Sequence, residues 1–183
     1  ESVSGQTPFG FVTTYRGREE AFEGCITLKS SGATSYVSRD DIKKNPQWVD
    51  MYKVIFSKAT CEHAGTPDRN GQFRVLSSLG LLPPGVVCTQ SYLVGGVFGT
   101  ETEAQNMLKY LKTKFVRYLM LQTITSQDLS PDKFMFVPMQ DFSSASDIDW
   151  SMDIEAIESC LYTKYGIDAA EAEAIGEVLK PMD

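Results

Sequence analysis

The chain has 183 residues, 42% of them apolar and 22% charged, with a formal net charge of −7. That mix excludes a disordered chain and supplies enough apolar residues for a real core. No window approaches the run of about 20 apolar residues that a membrane-spanning helix needs, and the opening stretch ESVSGQTPFGFVTTYRGREE has no apolar core of the signal-peptide kind. The chain starts at Glu1 in a Ser/Gly/Gln stretch, so the expectation is a piece of something longer. Cys25, Cys61, Cys88 and Cys160 are scattered without a C-x-x-C pair, and His63 is the only histidine. Neither a zinc site nor a disulfide framework is expected, and the expected compartment is the reducing cytoplasm. Charge is uneven: residues 1–140 carry 15 Lys+Arg against 13 Asp+Glu, whereas residues 141–183 carry 2 against 11. The acidity belongs to the tail, which reads as a solvated helical face or as a contact for a basic partner.

In chain order, Phe9–Tyr15 reads as a short strand and Cys25–Lys29 as a second, followed by a turn at SSGATS. Ser38 and Asp41 mark a helix start, which Asn45-Pro46 breaks. Tyr52–Phe56 is a strand rich in β-branched and aromatic residues. Residues 59–85 form a long Gly/Pro-rich loop, well beyond the usual connection of about 4–6 residues. Val86–Thr89 and Tyr92–Val94 read as buried strands. One long amphipathic helix then starts at a Thr100/Glu103 capping box and runs to Gln122. Its apolar positions fall on one side and Lys109, Lys112, Lys114 and Arg117 on the other. Phe134–Val137 reads as a strand stopped by Pro138. The tail gives two acidic helices, near Asp153–Tyr165 and Asp168–Leu179. Strands and helices without regular alternation indicate an α+β fold. The expected plan is a mixed or antiparallel sheet, the long helix and a C-terminal helical pair. Residues 1–145 form the body, and residues 146–183 an acidic helical segment packed on it.

No catalytic centre is visible. There is no G-x-S-x-G, the single histidine lies in the long loop beside Cys61, and Asp147, Asp149, Asp153 and Glu155 have no lysine beside them before Lys164. The glycines of Gly95–Thr100 lack the spacing of a nucleotide loop and read as a tight turn and helix cap. What remains is a set of basic faces and one polar loop, the chemistry of a binding module.

Several stretches resemble the C-terminal region of adenine-specific DNA methyltransferases of type II restriction–modification systems. They are PFGF at Pro8–Phe11, YVSRDDIKKNPQWVDMYKVIFSKA at Tyr36–Ala59 and CTQSYLV at Cys88–Val94. TEAQNMLKYLKTKFVRYLMLQ at Thr102–Gln122, FVPMQDFS at Phe136–Ser143 and the closing LYTKYGI and IGEVLKPMD complete the set. They follow the family's order and cover most of the chain from residue 8 onward. In that family this region is the target-recognition domain, attached to a catalytic core that binds S-adenosylmethionine and holds the flipped adenine in an Asn-Pro-Pro-Tyr-type motif. Neither core motif occurs here: the only Pro-Pro is Pro83-Pro84. The chain departs from the family pattern near Asp147–Asp149, and loop 59–85 has no assignable counterpart.

The resemblance implies a cytoplasmic module that binds double-stranded DNA beside the methyltransferase core of its parent, and no cofactor in this chain. The parent is then a methyltransferase, alone or fused to a restriction endonuclease. Because the resemblance supplies no residue-level contacts, candidates rest on side-chain chemistry. Arg69, Asn70, Gln72 and Arg74 suit base edges, and Lys43, Lys44, Lys112, Lys114 and Arg117 suit phosphates. The alternative is a protein-interaction domain that docks a basic partner on its acidic C-terminal helices.

Overall fold

The computed structural model describes residues 3–60 and 66–182. It is an α+β fold of two three-stranded sheets, one mixed and one antiparallel, with four helices, two of them C-terminal. β1 (Ile26–Ser30) and β2 (Ala33–Val37) form a hairpin turned at Gly32, whose φ of +77° suits glycine. β5 (Val86–Cys88) adds to β1 in parallel. In the second sheet β3 (Tyr52–Ser57) lies between β4 (Leu79–Leu82) and β6 (Tyr92–Phe98), antiparallel to both. The β3–β6 register slips by one residue, because Val54 faces Gly96 and Ile55 faces Val94, which leaves Gly95 as a bulge.

β3 divides two cores. Successive side chains on a strand point to opposite faces. Val54 and Phe56 therefore join a large cluster with the helices, while Ile55 joins a smaller one with Leu28, Val37 and Val87 of the first sheet. Lys53 shares the side of Ile55 and is 0% exposed. Its ammonium donates to the carbonyls of Val49 (3.1 Å) and Pro83 (3.0 Å). Burial lowers its pKa from 10.5 to about 8, opposed by the nearby Cys88 and Asp50. Burial also pushes the Cys88 thiol up to about 12.

α1 (Glu101–Lys112) begins at Thr100, whose hydroxyl accepts from the Glu103 amide at 3.3 Å and donates to the Glu103 carboxylate at 2.7 Å. The expected single long helix is broken at Thr113, with ψ of 147°, and restarts as α2 (Lys114–Leu121). Thr113 is buried and serves both halves: its hydroxyl donates to the Tyr110 carbonyl (2.7 Å) and accepts from the Val116 amide (3.3 Å). α3 (Ile154–Tyr165) is capped by Asp153 and closed by Gly166 at φ +70°. α4 (Ala169–Val178) has a reciprocal capping box between Asp168 and Glu171. α3 and α4 bury Ile157, Leu161, Ile175 and Leu179 in the same cluster as Phe56, Met107, Leu111 and Phe115. At roughly 1.5–3 kcal/mol per buried aliphatic side chain, an upper estimate, those four anchor the tail as part of the core.

Four local expectations fail for identifiable reasons. Phe9–Tyr15 is not a strand: Phe9 and Phe11 are buried anchors, but Gly10 between them sits at φ +94° and turns the chain. SSGATS turns at Gly32 and then enters β2. β4 lies inside the expected loop 59–85, where Leu79–Leu82 pairs with β3. Phe134–Val137 is not extended either, since Pro131 opens a short 3-10 turn over Pro131–Phe134.

Candidate nucleic-acid interface

The loop residues with base-reading chemistry sit on a braced turn. Asp68 accepts through one carboxylate oxygen from the amides of Asn70 (2.9 Å) and Gln72 (3.0 Å). Gly71 turns the chain at φ +79°. The other Asp68 oxygen pairs with Lys180 just past α4, and that hydrogen bond is the main reason its carboxyl titrates below the ordinary value. The strand-like stretch that follows is tied to the same helix end: Phe73 donates to the Val178 carbonyl (2.8 Å) and Lys180 donates to Phe73 (3.0 Å). The turn is therefore fixed to the C-terminal helices, with Arg69 and Asn70 exposed at its tip.

Gln72 is not on that tip in any useful sense. Its side-chain amide donates to the Glu177 carbonyl at 3.3 Å, which gives it a bracing role instead of a base-reading one. Arg74 is exposed, while its backbone carbonyl accepts from the Arg117 guanidinium at 3.3 Å.

Near Lys43 and Lys44 in sequence, Arg39 pairs with Asp50. Both lysines are exposed and bond neutral oxygens: Lys43 the Asp40 carbonyl (2.7 Å) and Lys44 the Thr7 hydroxyl (2.6 Å). Among the described residues no carboxylate lies at ion-pair distance from either lysine, so they keep the long-range attraction a phosphate contact needs.

The helical basic face fares differently. Arg117 is 0% exposed, with its Nε donating to the carbonyls of Lys112 (3.1 Å) and Thr113 (3.3 Å). It is removed from the phosphate set. The reason is that the polar side of α1–α2 is covered by the tail, which a helical wheel does not reveal. Lys109 braces the segment before α3 by donating to the carbonyls of Trp150 (2.7 Å) and Met152 (2.9 Å). The Lys114 amide donates to the Glu158 carboxylate. Lys112 and Lys114 are half-buried and line a cavity of about 130 Å³ together with Glu155 and Glu158.

The Gly95–Gly96 pair is part of β6, and its role is close packing. A Cβ on Gly96 would lie 2.4 Å from the Met107 sulfur, and one on Gly95 would lie 2.9 Å from the Phe56 ring. Cys61 and His63 lie outside the described residues. Among the described residues there is no group of three or more His, Cys, Asp and Glu side chains that could hold a metal ion. No described helix is long and apolar enough to cross a membrane. Sequence reasoning missed the exposed apolar turn of Met135, Phe136 and Met139, of which it read Met135 and Phe136 as strand. No family model, no curated protein and no solved structure matches this chain.

Proposed function

We propose that this chain is a DNA target-recognition domain of an adenine-specific methyltransferase whose catalytic core lies elsewhere. The observation that carries the reading is the Asp68-braced turn, which holds Arg69 and Asn70 exposed together. Arg pairs bidentately with guanine and Asn with adenine in the major groove, each worth about 1–3 kcal/mol of discrimination. A side chain that reads bases must be placed before DNA arrives, and a turn fixed by two amide bonds, an ion pair and a strand-like bridge meets that need. Lys43 and Lys44 add phosphate attraction, with no carboxylate at ion-pair distance among the described residues, and the family-like segments named above support the same reading. The domain's contribution to catalysis is indirect. Turning an adenine out of the duplex costs a few kcal/mol, and grip on the flanking duplex offsets that and selects the site. In this reading S-adenosylmethionine is bound by the core and not by this chain.

A second reading has its own support. Glu173 and Glu177 are exposed on the outer side of α4, where a basic protein surface could settle. The two readings separate in one experiment. Fluorescence anisotropy of the whole chain with a random-sequence duplex should show binding that weakens steeply with salt. Lys43→Ala/Lys44→Ala should flatten the slope of log K against log salt by about 2, at roughly 0.9 per phosphate contact. No binding even at low salt overturns the DNA reading and favours the acidic face.

A further inference from the structure

We propose that the open edge of β6, with the groove beside it, docks an extended polypeptide segment that carries an apolar side chain flanked by Lys or Arg. β6 is an edge strand of its sheet. The N-terminal segment covers that edge at Val94, where the Ser4 amide donates to the Val94 carbonyl (2.8 Å) and the Val94 amide to the Ser4 hydroxyl (2.9 Å). Gly95 is buried, and from Gly96 to Phe98 β6 makes no backbone hydrogen bond among the described residues except in its ladder to β3. An edge left in this state is a template for an added strand.

A groove of about 320 Å³ runs beside those four residues. Phe98, Met107, Met139 and Phe142 give it an apolar lining, and Glu103 and Asp141 stand on its walls, with no Lys or Arg among the lining residues. The turn that leads into it leaves large apolar side chains in water: Met135 is 68% exposed, Phe136 57% and Met139 69%. Methionine-rich surfaces of this type adapt to varied apolar partners. The occupant follows from these features together. Backbone groups of the edge call for an extended chain, the lining for an apolar side chain, and the two carboxylates for a neighbouring cation. A nucleic acid would bring phosphates toward Glu103 and Asp141. A second copy paired edge to edge would bring the same carboxylates toward each other. A basic-apolar segment from another protein meets neither conflict. This inference stands apart from the DNA reading, since it uses none of the same residues.

The test is panning of a random heptapeptide phage library against the whole chain at low salt. The winning sequence is then titrated as a synthetic peptide into labelled protein, with amide shifts followed by NMR. The expected winners place an apolar residue next to Lys or Arg and shift Gly95–Phe98. Asp141→Lys should weaken the winner about ten-fold and favour its Glu-substituted counterpart. If Asp141→Lys does not fold, Met139→Ser, at an exposed position, should weaken binding by a similar factor. Absence of enrichment, winners without a cation, or shifts confined to another surface would overturn the proposal. A dimer in sedimentation that Met139→Ser dissolves would overturn it in favour of self-association.

Discussion

Replacing Lys53 by Met probes the most unusual group in the interior. Lys53 is 0% exposed between the two sheets, and its ammonium bonds two carbonyls, not a carboxylate. Each carbonyl keeps another donor when the lysine is gone: Val49 accepts from Gly85 (2.9 Å) and Pro83 from Val86 (3.3 Å). Met fills a similar volume without the buried charge, so the usual penalty for orphaned acceptors is small. The folded-state pKa of Lys53 falls from 10.5 to about 8, so holding the charge inside costs about 3 kcal/mol near neutral pH. Between those two values the unfolded chain binds more protons than the folded one, and stability rises with pH. From pH 7 to pH 9 this single group should add about 1 kcal/mol, which is about 2–4 °C in melting temperature for a chain of this size. Cys88, whose thiol burial pushes up to about 12 against the pull of the Lys53 charge, acts in the opposite direction from pH 9 upward, so the comparison stops at pH 9. The assay is therefore the difference between wild type and Lys53→Met in urea denaturation at pH 7 and pH 9. Lys53→Met should match or exceed wild type at pH 7, and the advantage should shrink by about 1 kcal/mol at pH 9. Parallel pH dependences would show that Lys53 keeps an ordinary proton affinity, and the argument from burial would fail.

Arg117→Ala should destabilise the fold by about 3–5 kcal/mol, through the loss of a large buried side chain and its carbonyl bonds, while the salt dependence of DNA binding stays unchanged. A stable Arg117→Ala protein with a shallower salt slope would return Arg117 to the phosphate set. Asp68→Ala removes a negative charge, which by simple electrostatics favours DNA. It should nonetheless weaken sequence-selective binding, because the Asn70 and Gln72 amides and Lys180 lose their shared anchor. Tighter selective binding in that variant would show that the turn does not position the reading side chains.

The strand core and the caps were legible locally. Tyr52–Phe56 is β-branched and aromatic, and it forms β3 within a residue of its expected end. Ser38 with Asp41 makes a reciprocal box, though on a single 3-10 turn over Arg39–Asp41. The tail helices match because Asp153, Gly166 and Asp168 announce their own ends. The α1–α2 break was less visible, because Thr113 ends one helix and starts the next through hydroxyl bonds that spacing does not reveal. The greatest loss of information concerned the candidate site. Lys109 and Lys112 belong to α1 and Lys114 and Arg117 to α2, and which of them meets water is decided by tertiary packing. Gln72 and Asp68 were equally opaque, because their partners lie more than a hundred residues away at Glu177 and Lys180. Arg69 and Asn70 remained candidates because a turn tip with Gly71 exposes side chains wherever it is placed.

The most direct test of target recognition is selection of duplexes from a randomised pool with the whole chain, run in parallel for wild type, Arg69→Ala and Asn70→Ala. The account predicts one enriched sequence for wild type. It also predicts relaxed choice at a guanine position in Arg69→Ala and at an adenine position in Asn70→Ala, each by about 1–3 kcal/mol. Enrichment of no sequence, or one identical sequence in all three proteins, would contradict it.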